Sequence, residues 1–267
     1  MAEVFDSDWL KRRWRADHRA RDNRLVEHLR GWASPRGRLA ILDLGAGSGS
    51  NAGFMAPRLP APQHWCLVDH DAQLLATAMD NLADLNGVTG ATAVADMARI
   101  DADWCTGYDV ITAAALLDLA GADWLDRVIA NAADVGAACL FALNYTGAIA
   151  WRPPLAGDDL ARDAFNAHQR SDKGLGPALG PNAPAVTAAT ARRRGLSVER
   201  AASPWRLSAG DEALQAALLA DRYQAAAAQA PDNAEELAAW AAARQTRIDS
   251  GDSGVVVGHE DLLVWPR

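Results

Sequence analysis

Short apolar runs alternate with amphipathic stretches over the middle of the chain, from about residue 38 to residue 145. Runs of four to eight apolar residues bounded by turn residues are typical of strands, and the stretches between them repeat apolar residues at helical spacing. This alternation predicts a parallel sheet with helices on both faces. The predicted strands are LAILDL, HWCLVD, ATAVAD, YDVITAAA and AACLFALN, and the predicted helices cover residues 50–59, 71–86 and 122–135.

The segment before this region predicts a single helix with one basic face. Residues 6–30 repeat tryptophan, leucine and valine at helical spacing, and Asp6 or Ser7 can cap the helix. The basic positions are Lys11, Arg12, Arg13, Arg15, Arg19, Arg21 and Arg24. Two interpretations fit them: a solvated face paired with nearby acidic residues, or a lid over an anionic ligand. We assign residues 1–36 to an N-terminal helical cap.

The segment after the fifth predicted strand departs from the alternation. Residues 145–184 combine WRPP, a charged helical piece and KGLGPALGP, and an insertion of this length is usually functional. A helix over 185–194, the strand GLSVERA, an alanine-rich helical region over 210–248 and the strand VVVGHEDLLVWP follow. The prediction is one domain over residues 37–267, with insertions at about 145–184 and 210–250.

Charge and composition restrict the class of partner. The 267 residues carry a formal net charge of −8, which disfavours nucleic acid because its binding depends on Lys and Arg. No apolar run reaches the roughly 18 residues of a membrane span, and the start lacks a secretory leader pattern. The three cysteines have no CxxC spacing and the six histidines are scattered, so no metal is expected. We expect a cytoplasmic protein that contacts neither membrane nor nucleic acid; the oligomeric state stays open.

The stretch ILDLGAGSGS, residues 41–50, is a glycine-rich loop directly after the first predicted strand. Gly45, Gly47 and Gly49 let the backbone turn tightly and approach a ligand, and the following helix points N–H groups at it. The spacing departs from GxGxxG because Ser50 stands at the third glycine, and no Lys follows as in a Walker loop. A pyrophosphate cradle is therefore disfavoured.

Acidic residues at three strand ends complete a pattern with this loop. Asp43 stands two residues before the first glycine, Asp69 ends the second strand and Asp96 ends the third. The chain resembles the class I S-adenosylmethionine-dependent methyltransferases in two features. Its first strand runs into the motif D-x-G-x-G-x-G, and acidic residues stand at the ends of the next two strands. The alternative is that Asp43 only satisfies loop amides and Asp69 only caps a helix.

The resemblance implies a cofactor and its contacts. Asp69 would accept from the ribose hydroxyls and Asp96 from the adenine amino group, with the backbone of Met97 against the ring. S-adenosylmethionine is the implied cofactor. The implied binding residues are Asp43, Gly45, Ala46, Gly47, Gly49, Asp69, His70, Asp96, Met97 and Ala114.

The resemblance also implies the complete fold. It covers residues 38–145 well and residues 185–265 only in pattern. The implied architecture is a doubly wound α/β fold with a mostly parallel seven-stranded sheet in the order 3-2-1-4-5-7-6, helices on both faces and helical insertions. The last two strands form the antiparallel pair that ends this fold.

Methyl transfer from a sulfonium mainly requires alignment of the acceptor, and a base is needed only where the acceptor must lose a proton. Asn144 and Tyr145 close the fifth strand and can orient an acceptor, and Tyr145 is also a catalytic candidate. A tyrosine that only packs at a strand end is the alternative. A different class of methyltransferases, which acts on nucleic-acid bases, has an Asn/Asp-Pro-Pro-Tyr motif after the fourth strand. This chain has ALLD at that place, so methylation of a base is disfavoured.

The insertion AFNAHQRSDKGLGPALGP supplies further candidates for the acceptor side. Arg170 and Lys173 can meet an anionic acceptor, and His168 is a candidate base near neutral pH. Its glycines would make the backbone pliable, as in a cover that excludes water. A surface loop with scattered charges is the alternative. The cover prediction requires the insertion to lie on the same side of the sheet as the glycine loop.

The leading hypothesis is an S-adenosylmethionine-dependent methyltransferase that acts on a small molecule by direct in-line transfer, with a mild preference for an anionic acceptor. The basic run KRRWRADHRARDNR keeps an RNA methyltransferase as one alternative. A second alternative is a regulatory module that binds S-adenosylmethionine without turnover. A nicotinamide-dependent oxidoreductase is disfavoured by Ser50.

Overall fold

The computed structural model describes residues 7–99 and 102–267. Its strands are β1 (Leu39–Leu44), β2 (Gln63–Asp69), β3 (Val88–Val94), β4 (Val110–Ala114), β5 (Ala138–Arg152), β6 (Ser197–Ala202), β7 (Trp205–Leu207) and β8 (Gly254–Trp265). Strands β1 to β5 pair in parallel in the order β3-β2-β1-β4-β5, and β8 lies antiparallel to β5. Strands β6 and β7 pair with successive stretches of β8.

Helices cover both faces of the sheet and its C-terminal extension. They are α1 (Ser7–Ala20), α2 (Asn23–Ala33), α3 (Ser50–Met55), α4 (Ala72–Ala83), α5 (Ala122–Val135), α6 (Asp158–His168), α7 (Ala183–Arg193), α8 (Glu212–Gln229) and α9 (Ala234–Asp249). Ile41 packs with α2, α3 and α4, whereas its neighbour Leu42 packs with α5 and α7. Because successive strand residues point to opposite faces, one apolar strand supplies both cores.

A third core lies around the extended ends of β5 and β8. It joins α1, α6, α8 and α9, with Tyr145, Trp151 and Val257 from the strands. Strand β5 therefore reaches well beyond the predicted end at Asn144, and two register shifts against β8 bend it along the way.

The predicted doubly wound fold and its strand order are confirmed, with one strand more than the seven expected. The short β7 adds to the edge formed by β6, and its three residues are too few to give a periodic signal in the sequence. Among the described residues, no helix is long and apolar enough to cross a membrane.

The predicted helix over residues 6–30 is two helices. Asp22 interrupts it: the Asp22 carboxylate accepts from the backbone N–H groups of Arg24 and Leu25 and so begins α2. An N-cap of this kind satisfies donors that an uninterrupted helix would bond internally, which favours the break. Asp6, a candidate cap for the predicted helix, lies outside the described residues, as does the side chain of Ser7.

A buried carboxylate links the N-terminal helices to the sheet. Asp261 of β8 accepts from the Leu143 N–H at 2.8 Å, the Ser203 hydroxyl at 2.6 Å and the Asp22 N–H at 3.1 Å. Its Oδ2 also lies 3.5 Å from Nε of Arg21, and both side chains are almost fully buried. The ion pair is therefore shielded from solvent and surrounded by hydrogen bonds, the condition in which removal of one partner is costly.

We expect Asp261→Ala to lower the free energy of unfolding by about 3–5 kcal/mol, because the Arg21 charge would stay buried without its counterion. Urea denaturation of both proteins measures the difference. Asp252→Ala is the matched control, since the Asp252–Arg247 pair is exposed and its loss should cost under about 1 kcal/mol. Equal losses in the two variants would contradict a structural role for the buried pair.

Candidate functional site

The glycine loop after β1 forms one wall of a cleft at the carboxyl ends of the parallel strands. Gly45, Gly47 and Gly49 have φ values of +65°, +52° and +84°, a region that other residues enter at a cost. A Cβ at Gly45 would lie 3.4 Å from Leu116, and a Cβ at Gly47 would lie 3.5 Å from Leu10. The glycines therefore leave open the space that a ligand would fill. We call this space the cofactor cleft.

Asp69 fixes the loop from the end of β2. One of its oxygens accepts from the Gly47 N–H at 2.9 Å, and the other accepts from the Asp71 N–H at 3.1 Å. The Asp69 side chain is buried yet lines the cofactor cleft. The neighbouring His70 also lines the cleft, with Nδ1 3.0 Å from Asp69.

Asp43 lies behind the loop and does not line the cofactor cleft. It is fully buried, and it accepts a hydrogen bond of 2.8 Å from the Asn51 side chain. Burial raises the pKa of Asp43 to about 7, although Asn51 and Arg21 act in the opposite direction. Asp43 thus holds the start of α3 against the loop.

The segment after β3 supplies the opposite wall. Asp96 and Met97 line the cofactor cleft, and the Met97 carbonyl accepts a 2.7 Å hydrogen bond from Nε1 of the buried Trp124. This bond holds the backbone of Met97 in place from α5. Ala114, at the end of β4, lines the same cleft.

The charges of the cofactor cleft indicate which ligands it suits. Its lining has three carboxylates, Asp69, Asp71 and Asp96, and two cations, Arg13 and Lys173, beside the apolar Leu74 and Met97. Three carboxylates repel a pyrophosphate, whereas they can accept hydrogen bonds from hydroxyl and amino groups. The lining therefore fits a nucleoside with a positively charged tail better than a dinucleotide.

A second cleft adjoins the cofactor cleft, and we call it the acceptor cleft. Arg13, Ala115 and Leu119 line both. Its walls combine aromatic and charged side chains. The aromatic lining residues are Trp9, Tyr145, Phe165, Trp205 and His259, and the charged ones are Arg13, Asp118, Asp221 and Arg222.

Two residues at the junction of the clefts have left-handed backbone. Ala115 has φ +52° at the shared wall, and Leu143 has φ +55° in the acceptor cleft, where the Asp261 carboxylate accepts from its N–H. A residue with a Cβ is strained in this region and stays there only where the surroundings enforce it. Strain of this kind clusters at functional sites.

Comparisons with known proteins agree with this geometry. Residues 41–137 match a family model described as a methyltransferase domain. The chain is similar in fold to a SAM-dependent methyltransferase from Geobacter sulfurreducens crystallised with S-adenosyl-L-homocysteine (17% identity, 100% of both chains, TM-score 0.50). It is also similar to the YcgJ protein of Bacillus subtilis (15% identity, 92% of this chain and 100% of that chain, TM-score 0.51). The comparison with curated proteins found no match.

The match over residues 41–137 and the fold agree with the predicted resemblance to class I methyltransferases. The matched range runs from β1 to the start of β5 and includes the glycine loop and the segment after β3.

Apart from Asp43, which lies behind the loop, the predicted cofactor residues fall into three groups. Gly45, Gly47, Asp69, His70, Asp96, Met97 and Ala114 line the cofactor cleft. Ala46 faces a smaller cavity behind the loop, which also contains Arg21 and Asn51. Gly49 packs its backbone against Ala78 of α4, where a Cβ would come within 3.0 Å, so its role is in the packing of the loop.

The predicted acceptor residues lie apart from one another. Tyr145 lines the acceptor cleft, and its hydroxyl donates to Asn166 at 2.9 Å. Lys173 lines the cofactor cleft. Asn144 is buried and donates to the carbonyls of Phe141 and Glu260, and neither His168 nor the exposed Arg170 lines the two clefts.

The insertion lies on the side of the sheet that holds the glycine loop. Residues 173–175 line the cofactor cleft, and Leu175 is bridged to the chain after β4, where its carbonyl accepts from the Gly121 N–H at 3.0 Å. A Cβ at Gly121 would come within 2.8 Å of that carbonyl, so glycine is required for this close approach. The insertion therefore meets the requirement of the cover prediction, that it lie on the same side of the sheet as the glycine loop.

Sequence reasoning missed the residues that distant segments bring to the acceptor cleft. Arg222 comes from the alanine-rich α8, and His259 comes from β8. The sequence does contain a signal for His259, because the polar triplet His-Glu-Asp interrupts the otherwise apolar closing strand. Among the described residues, no cluster of three or more His, Cys, Asp or Glu side chains has the arrangement of a metal site.

His259 is a neutral histidine in the acceptor cleft. Its ring lies 5.1 Å from that of Trp205 and 6.3 Å from that of Tyr145, and its Nδ1 is buried without a hydrogen-bond partner among the described residues. Burial, followed by the charges of Arg13 and Arg222, lowers the pKa of His259 to about 3.

His259→Gln should therefore change how stability depends on pH. In an unfolded chain His259 takes up a proton as the pH falls below the ordinary histidine pKa of 6.5, whereas in the folded chain it does so only near 3. The wild type should lose about 2 kcal/mol relative to the variant when the pH falls from 7 to 5. Urea denaturation of both proteins at the two pH values measures this.

The comparison with the variant is necessary because Asp43 acts in the opposite direction. Its raised pKa, about 7, makes the folded chain lose stability as the pH rises from about 4 to 7. The two effects overlap in the wild type, and only the difference between the proteins isolates His259. A difference that is the same at both pH values would show that His259 is not held neutral.

Proposed function

We propose that this protein methylates a small molecule held in the acceptor cleft, with S-adenosylmethionine in the cofactor cleft. The observation that carries the proposal is the common wall of Arg13, Ala115 and Leu119. Two clefts that meet at one wall can hold a donor and an acceptor in contact, which is the main requirement of a displacement reaction.

The cofactor contacts follow from the lining residues. Asp69, Leu74, Asp96 and Met97 line the cofactor cleft. Asp69 and Asp96 would accept from the ribose hydroxyls and the adenine amino group, and Met97 and Leu74 would pack against the base. The bound cofactor supplies a methyl group that its sulfonium has already activated. The protein then has to align the acceptor and exclude water.

The position of the acceptor cleft favours a small acceptor. The acceptor cleft lies between α1, α6 and α8 rather than on an open basic surface, which does not favour an RNA strand.

The two arginines of the acceptor cleft support an anionic acceptor. Arg13 and Arg222 line this cleft together with Asp118 and Asp221, and Lys173 lines the adjoining cofactor cleft. Five of the seven predicted basic-face residues are exposed, whereas Arg13 and Arg21 point inward. This division supports both interpretations of the basic helix: five of its residues form a solvated face, and Arg13 lines the proposed site.

Asp69→Ala should weaken binding of S-adenosylhomocysteine about tenfold or more, which is roughly 1.4 kcal/mol, because it removes the acceptor for two hydroxyl groups. Isothermal titration calorimetry measures the dissociation constants. Asp80→Ala is the control, since Asp80 is exposed on α4 and outside the cofactor cleft. Unchanged affinity in Asp69→Ala, with native thermal stability, would contradict the assigned binding mode.

Turnover separates the proposed function from its alternatives. The wild type should transfer a labelled methyl group to members of a small-molecule panel and not to RNA. Tight binding of S-adenosylhomocysteine without transfer to any acceptor would favour a regulatory module. Salt-sensitive retention and methylation of RNA would overturn the small-molecule assignment.

A further inference from the structure

Arg222 has an unusual position for an arginine. Its side chain reaches from α8 into the acceptor cleft and is 6% exposed. The guanidinium carbon lies 4.0 Å from the centre of the Phe165 ring and 5.0 Å from that of Tyr145. Its Nη1 donates to the Tyr145 hydroxyl at 3.3 Å. The aromatic rings therefore hold the guanidinium plane in a fixed orientation within the cleft.

This buried cation forms no close ion pair within residues 7–99 and 102–267. The neighbouring Asp221 carboxylate attracts it electrostatically without approaching within 4.0 Å, and its Nε is buried without a hydrogen-bond partner. Burial of a charge without a partner is unfavourable, so proteins retain such groups where a ligand supplies the partner. Arg244 illustrates the usual solution, because this equally buried arginine forms a two-oxygen pair with Asp158 at 2.7 and 2.8 Å.

Neighbouring groups support the assignment to Arg222. Arg13 is the other arginine in the lining, and its guanidinium already donates to Asp17 at 2.9 and 3.3 Å. His259 faces both arginines, and their charges contribute to its lowered pKa. The neutral histidine therefore adds no counterion for Arg222 and no competing cation.

The remaining lining residues restrict the chemical class of the anion. Asp118 and Asp221 also line the cleft and would repel a dianion such as a phosphate monoester. Trp9, Phe165 and Trp205 offer flat apolar surface to the rest of the ligand. A guanidinium binds a carboxylate through two parallel hydrogen bonds, which matches one planar monoanion on a flat body.

We propose that Arg222 is the acceptor-binding residue of this enzyme and that the acceptor is an aromatic monocarboxylate whose carboxylate pairs with its guanidinium. This inference rests on the proposed function, which it deepens by naming the acceptor class. Tyr145 is then a positioning residue, since its ring and hydroxyl orient the guanidinium.

The first test measures thermal stability without ligands. Arg222→Met replaces a buried cation that forms no close ion pair with an apolar side chain of similar length and should raise Tm by about 2–4 °C. Arg244→Met is the matched control: it leaves Asp158 without its partner and should lower Tm. A fall in Tm for Arg222→Met comparable to that of Arg244→Met would show that the protein itself compensates Arg222, and it would overturn the proposal.

The second test measures binding to the protein saturated with S-adenosylhomocysteine. The probes are benzoate, 4-hydroxybenzoate and phenylacetate, each paired with its primary amide, and ligand-observed NMR gives dissociation constants into the millimolar range. At least one carboxylate should bind tenfold or more tightly than its amide. Arg222→Met should abolish this preference, and Arg194→Met, at an exposed arginine paired with Asp126, should retain it.

The outcomes separate this inference from the function on which it rests. Equal binding of carboxylates and amides, no binding of any carboxylate, or a preference that survives in Arg222→Met would each overturn the role of Arg222. Binding of S-adenosylhomocysteine by the wild type and by Arg222→Met tests the cofactor cleft separately. Its loss in the wild type would remove the proposed function itself.

Discussion

Both clefts depend on the buried guanidinium of Arg21. It donates to the Asn51 side chain at 2.9 Å, lies beside Asp261 and stacks on Phe54 at 4.6 Å. Asn51 in turn donates to Asp43, directly before the glycine loop. One cation thus fixes the N-terminal helices to the loop that forms the cofactor cleft and to the strand that carries His259. Because α1 lines both clefts, their geometry depends on this anchor.

The sheet and the cofactor cleft were predictable because their signals are local. Each apolar run is followed directly by the residue that reaches the cleft, as with Asp69 after β2 and Asp96 after β3. The carboxyl ends of parallel strands meet at one edge, so positions along the chain translate into positions around a ligand. Gly49 shows the limit of this logic, because its absent side chain serves packing against α4 rather than ligand contact.

The acceptor cleft could not be predicted in the same way. Its lining comes from α1, the segment after β4, strands β5, β7 and β8, and helices α6 and α8. No spacing along the sequence brings Arg222 next to Tyr145, 77 positions away. They meet only in the folded chain, where α6 packs against both α8 and β5. The break between α1 and α2 does have a local signal, the N-cap residue Asp22. The apolar pattern continues across it, however, and so predicted one helix. The extension of β5 depends on pairing with β8, which the sequence of β5 does not contain.

Buried hydrogen bonds hold the C-terminal half of helix α1 in place. Its C-terminal half is held at Asp17, which accepts from Nε1 of Trp205 at 3.0 Å, and by Arg21 just beyond its end. Trp9 lies eight residues before Asp17, which corresponds to about 12 Å along a helix. A rotation of about 15° around the held half would move Trp9 by about 3 Å, roughly the width of one water molecule. A rotation of this one helix would therefore change the walls of both clefts at the same time, because Leu10 lines the cofactor cleft and Trp9 lines the acceptor cleft.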